Sequence, residues 1–152
     1  MPLRPIRAPD IDAISTWLPP VARDLGYPAW ESGEGLRLSA GPHDALIYDE
    51  AAGIAVLSYE NASPEPDAAR IHLLAVAPGR RRLGIGSRAA LALERRLRAS
   101  TARLYVVVPA RLGLALYFWL RLGYRPLTQA GWPARPEQSP SLWMRRELQR
   151  RS

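Results

Sequence analysis

The chain has 152 residues, 47% of them apolar and 23% charged, with 21 basic against 14 acidic side chains and a net charge of +7. That is the composition of one globular domain, 1–152, and not of a fibrous or disordered chain. Cysteine is absent and His43 and His72 are the only histidines, which excludes a disulfide framework and thiol-based covalent catalysis and leaves no metal site to expect.

Every basic residue is arginine. The positive balance admits nucleic acid, an anionic membrane surface or a phosphorylated or carboxylated small molecule as partner. No apolar run approaches the ~18 residues of a membrane span. The N-terminal MPLRPIRAPD lacks an apolar signal core, so cytoplasmic residence without a membrane partner is the expectation.

In chain order, Leu3 to Arg7 reads as a short extended piece, and Asp10 can cap a helix running toward Trp17 and Leu18. Pro19 and Pro20 stop or redirect it. A second helical or irregular piece, about Val21 to Trp30, leads into a glycine-rich loop from Ser32 to Gly41. Ala45 to Tyr48 and Ile54 to Tyr59 flank a turn and form a hairpin. After the loop Asn61 to Asp67 comes a strand, Arg70 to Val76, closed by Pro78 and Gly79. The basic loop Arg80 to Gly86 then precedes a helix of about fourteen residues, in which Ile85, Ala89, Leu93 and Leu97 form a buried stripe and Arg88, Arg95 and Arg98 a solvated side. Leu104 to Val108 is an all-apolar strand suited to the middle of a sheet. Leu112 to Leu122 is a helix capped by Gly123. Tyr124 and Arg125 start a short strand, Pro126 to Pro140 is a loop, and Ser141 to Leu148 is the last strand. The class is α/β (α+β): a mixed, mostly antiparallel sheet with one parallel strand-loop-helix-strand crossover.

Arg80 to Ser87 carries the most chemistry. Gly84 and Gly86 remove side chains where a strand hands over to a helix, so backbone N–H groups can approach an anion under the positive end of the helix dipole. A phosphate or pyrophosphate is the expected ligand. A Walker loop is excluded by the absence of lysine. The dinucleotide fingerprint fails on the preceding hairpin and the single crossover.

Leu74 to Gly86, LAVAPGRRRLGIG, closely resembles the acyl-CoA signature of the GNAT N-acetyltransferases, Arg/Gln-x-x-Gly-x-Gly/Ala, with Arg81, Gly84 and Gly86 in its three places. Leu3 to Asp10 is similar to the family's first strand and helix start, Leu120 to Tyr124 to its later helix end, and Trp143 to Leu148 to its last strand. The resemblance implies a GNAT-like fold, with helices on both sheet faces, and direct acetyl transfer from acetyl-CoA to a primary amine of a small molecule or peptide. It puts the pyrophosphate on the amides of Arg81, Arg82, Leu83, Gly84, Ile85, Gly86 and Ser87, and the pantetheine arm along Leu74, Ala75 and Val76. No metal is implied, and a homodimer is left open.

Two family positions depart from the pattern. Arg70 stands where many members place a Glu base; His72, on the same strand face, and Glu60 on the neighbouring strand are the candidate bases. Trp119 stands where the family's Tyr acid does, and indole gives up no proton at useful pH. Tyr124 is the candidate acid, with solvent and a packing role as its rivals. The acceptor pocket is expected from the N-terminal helices and the loops Ser32 to Pro42 and Gly131 to Pro140, with Trp30, Trp132, Arg37 and Arg135. Those departures motivate the alternative reading, an acyl-CoA-binding regulatory module with weak or no transfer. A nucleic-acid surface on Arg88, Arg95 and Arg98 lacks an aromatic stacking platform.

Overall fold

The computed structural model describes residues 2–25, 44–79, 84–136 and 140–148. Arg80, Arg81, Arg82 and Leu83 of the signature, together with Trp30, Arg37, His43 and the loop Ser32 to Pro42, lie outside the described residues. By its internal contacts the chain divides into two units: Met1–Tyr59 with Leu73–Leu93, and Glu60–His72 with Glu94–Ser152.

In the first unit, β1 (Leu3–Pro5) pairs antiparallel with β2 (Asp44–Glu50), and β2 pairs antiparallel with β3 (Gly53–Asn61), through a tight turn between Glu50 and Gly53. The expected hairpin is present. Helix α1 (Ala8–Ser15) starts two residues before the expected cap: Arg7 is the N-cap, and Asp10 is the third helical residue, its carboxylate accepting from the Arg7 N–H at 2.8 Å. The Arg4 guanidinium donates to both Asp10 oxygens, at 2.6 and 3.0 Å, and holds that carboxyl down at about 2. Pro19 and Pro20 do not separate two helices at a distance. They stand in the first turn of α2 (Leu18–Asp24), where a missing N–H leaves no intrahelical bond unmade. Ile14, Leu18, Val21 and Ala22 bury the inner faces of both helices against Ile47, Val56, Leu73 and Ala75.

In the second unit, the first half of β4 (Ala68–Val76) runs parallel to β5 (Arg103–Pro109), from Ala68 opposite Arg103 to Ile71 opposite Val106. β5 pairs antiparallel with β7 (Ser141–Glu147), and β7 with the two-residue β6 (Arg125–Pro126). Ala68, Tyr105 and Trp143 are buried together, with Val107, Leu127 and Trp132 packed on them. Strand order across the sheet is β1-β2-β3-β4-β5-β7-β6; among the described pairs only β4 with β5 is parallel. Helix α3 (Ile85–Leu97) lies between these two strands in sequence and makes the crossover. Its predicted stripe is buried throughout, with Ile85, Ala89, Leu93 and Leu97 at 5% exposure or less.

Helix α4 (Gly113–Arg121) ends where the glycine predicts. Gly123 has φ +99°, its N–H donates to Leu120 O at 3.0 Å, and the Tyr124 N–H reaches back to Trp119 O at 3.0 Å. These two bonds are the Schellman closure, and the ring contact that accompanies it is Trp119 against Tyr124, 4.9 Å between centroids.

Candidate active site

Burial alternates along β4. Ala69, Ile71, Leu73 and Ala75 are buried, while Arg70, His72, Leu74 and Val76 are half-buried on the opposite face, as the two-residue strand period requires. Arg70 and His72 therefore share a face.

In the first unit, the turn after β4 uses Gly79 at φ +85°, and α3 opens directly after Gly84 at φ +76°. Both are left-handed conformations that a side chain disfavours. Helix formation starts at Ile85, so Gly86 and Ser87 lie in its first turn, where backbone N–H groups have no intrahelical acceptor. Arg88 is exposed, as expected of that side of the helix, and its guanidinium is turned toward the glycine. A Cβ at Gly84 would stand 2.8 Å from Arg88 Nη1. Its Nε donates to both oxygens of Glu50, at 3.0 and 3.2 Å, and its Nη2 donates to Glu50 Oε1. The Tyr48 hydroxyl donates to Glu50 Oε2 at 2.7 Å. The Arg88 and Tyr48 hydrogen bonds lower the Glu50 pKa, and Glu50 in turn raises that of Arg88. Tyr48 and Glu50 carry no family motif, and the 38 residues between Glu50 and Arg88 hide the link from sequence reading.

In the second unit, His72 Nε2 lies 3.2 Å from Glu60 Oε2, with side chains 19% and 29% exposed. The two candidate bases thus form one hydrogen-bonded pair. A carboxylate partner favours the tautomer with the hydrogen on Nε2. The Arg70 guanidinium stacks 5.0 Å from the Trp143 ring centroid, and Trp143 meets Tyr105 edge to face at 5.8 Å. The Trp143 indole N–H donates to Ala134 O at 2.7 Å and that of Trp132 to Leu127 O at 3.0 Å. The Trp143 bond fastens Ala134 to β7, and the Trp132 bond closes the segment from Leu127 to Trp132 on itself; Arg135 is exposed. The Tyr105 hydroxyl donates to Glu65, and burial, followed by that contact, raises its pKa.

Tyr124 is 2% exposed, and its hydroxyl has no hydrogen-bond partner among the described residues. Burial, with the Glu94 charge nearby, pushes the phenol well above its ordinary value. A phenol so desolvated holds its proton, and the Schellman contact with Trp119 accounts for its position. Glu94 is a further residue that sequence reading missed. It is 4% exposed and accepts from Arg146 Nε at 2.9 Å and Nη2 at 3.1 Å, and from Arg98 at 3.1 Å. Its i,i+4 spacing to Arg98 was the available signal. Arg98 is accordingly half-buried and paired.

Among the described residues no cluster of three or more His, Cys, Asp or Glu side chains could hold a metal ion, and no helix is long and apolar enough to cross a membrane.

A strand, a left-handed glycine and a helix opening follow one another in this order inside a mixed sheet, with β4 and β5 the parallel pair among those described. The acetyltransferase (GNAT) family profile matches residues 11–124, and the chain belongs to that family. Among solved structures it is similar to a GNAT-family acetyltransferase from Staphylococcus aureus, at 12% identity and TM-score 0.72, covering 97% of this chain and 98% of that one. The ribosomal-protein-S18-alanine N-acetyltransferase of Escherichia coli gives 17% identity and TM-score 0.70, covering 96% and 92%. The N-acetylglutamate synthase of Neisseria gonorrhoeae, solved with coenzyme A and N-acetyl-glutamate, gives 20% and 0.73, covering 97% of this chain and 35% of that one. No curated protein matches the chain in sequence.

Proposed function

We propose that the protein transfers an acetyl group from acetyl-CoA directly to a primary amine of a small molecule or peptide. The observation that carries this reading is Gly84, held at φ +76° immediately before α3 and at the family's signature position. A Cβ there would crowd the space beside the helix opening. The backbone amides from Gly84 to Ser87 suit a diphosphate, and Arg81, Arg82 and Leu83 complete the cradle in this reading. The edge of Leu74, Ala75 and Val76 takes the pantetheine arm. Bound acetyl-CoA supplies an activated thioester carbonyl.

His72 acts on the acceptor. Its Nδ1 takes a proton from the ammonium or from the attacking nitrogen, and Glu60 orients the ring and stabilises the imidazolium that results. The C–N bond forms as the C–S bond breaks, and the low basicity of the thiolate lets it leave without an acid in position and be protonated afterwards by solvent. The burial of Tyr124, 2% exposed, supports a packing role for it in place of proton donation.

Calorimetry with acetyl-CoA tests the cradle. Wild-type protein binds, and Gly86→Trp, which fills the first helical turn, removes binding while thermal unfolding stays cooperative. Unchanged affinity in Gly86→Trp would show that the diphosphate sits elsewhere.

A further inference from the structure

The Arg88 side chain has a use that the family signature does not contain. Arginine offers three nitrogens in a rigid fork. Here Nε and Nη2 are both committed to Glu50, and Glu50 is itself steadied by the Tyr48 hydroxyl at 2.7 Å. The third nitrogen, Nη1, is turned toward Gly84, 2.8 Å from where a Cβ would stand. The Arg88 backbone N–H also closes the first bond of α3 onto Gly84 O, at 3.0 Å, so main chain and side chain of one residue both register on that glycine. A pairing that only decorated the surface would not require two β2 residues to aim one arm of the fork at the glycine turn. Lysine, a single ammonium, could satisfy Glu50 or reach the turn, but could not do both.

We propose that Arg88, positioned by Glu50 and Tyr48, is a further cation of the diphosphate cradle and donates from Nη1 to the diphosphate of the acyl-CoA. This rests on the acyl-CoA reading above and adds to it a specificity residue outside the signature. Glu50 and Tyr48 are positioning residues: they touch the ligand only through the guanidinium they hold.

The test is calorimetry with CoA, with dephospho-CoA, which keeps the diphosphate and lacks the 3′-phosphate, and with pantetheine, which lacks both. Arg88→Gln raises the Kd of CoA and of dephospho-CoA alike by about tenfold, the loss of one charge-assisted hydrogen bond. It leaves competition by pantetheine unchanged. Arg88→Lys stays nearly as weak as Arg88→Gln, because the ammonium goes to Glu50. Glu50→Gln, which keeps the cation and loosens its fork, gives a smaller rise for both phosphorylated ligands and serves also if Arg88→Gln does not fold. An unchanged Kd for CoA in Arg88→Gln, an equal loss for pantetheine, a loss confined to CoA, or full recovery in Arg88→Lys each overturns the proposal. Wild-type protein that binds none of the three ligands would instead remove the acyl-CoA reading itself.

Discussion

His72→Ala lowers kcat/KM for acetyl transfer by about 10³-fold, the usual worth of a positioned general base, and leaves the Kd for acetyl-CoA within about twofold. The basis is the pairing of His72 Nε2 with Glu60 Oε2 at 3.2 Å on the half-buried face of β4. A carboxylate partner orients the ring and stabilises the imidazolium that proton abstraction would produce. Glu60→Gln keeps the ring in place but removes the charge that stabilises imidazolium, and its loss is intermediate. The pH profile separates this role from a structural one: His72→Ala loses the acid limb of kcat/KM, where a merely packed histidine would leave that limb in place. Full activity in His72→Ala would assign the proton to solvent.

Gly123→Ala destabilises the fold by about 3 kcal/mol, or roughly 10 °C in midpoint for a chain of this size. Two costs act together. The residue sits at φ +99°, where a side chain is strained, and the added methyl meets the Arg146 guanidinium. That guanidinium cannot simply swing away, because Glu94, 4% exposed, holds it through two hydrogen bonds. Displacing it leaves a buried carboxylate with Arg98 as its remaining partner. The effect is measured by thermal or denaturant unfolding. A change below about 1 kcal/mol would mean that the α4 end relaxes without disturbing the Glu94 pair.

The parts of this molecule that follow from local pattern were legible in its sequence. The spacing of Ile85, Ala89, Leu93 and Leu97 set the buried face of α3, the turn between two β-rich runs set the β2–β3 hairpin, and Gly123 marked the end of α4. Each of those signals acts within one element. Asp10 serves α1 from its third helical position, where its carboxylate accepts from the N-cap amide of Arg7 in place of capping the helix itself, a choice that residue type alone does not decide. Pro19 and Pro20 carry no direction in sequence: the same pair that ends one helix begins the next. The charged pairs were the hardest to see. Arg88 with Glu50, and Arg146 with Glu94, are 38 and 52 residues apart, and only the folded register brings them together. For the proposed catalytic pair, strand alternation places His72 and Arg70 on one face, but the hydrogen bond from His72 to Glu60 is one that no spacing rule supplies.

The central claim, acetyl transfer from acetyl-CoA to an amine, is tested most directly by incubating the protein with acetyl-CoA and a panel of primary amines. Release of free CoA thiol and the mass of the product are followed together. The account predicts thiol release well above the amine-free background with at least one amine, matched by a product 42 Da heavier than that amine, the mass of an acetyl group replacing a hydrogen. Tight acetyl-CoA binding with thiol release no faster than background across small-molecule and peptide amines would contradict it, and would leave a CoA-binding module in place of an enzyme.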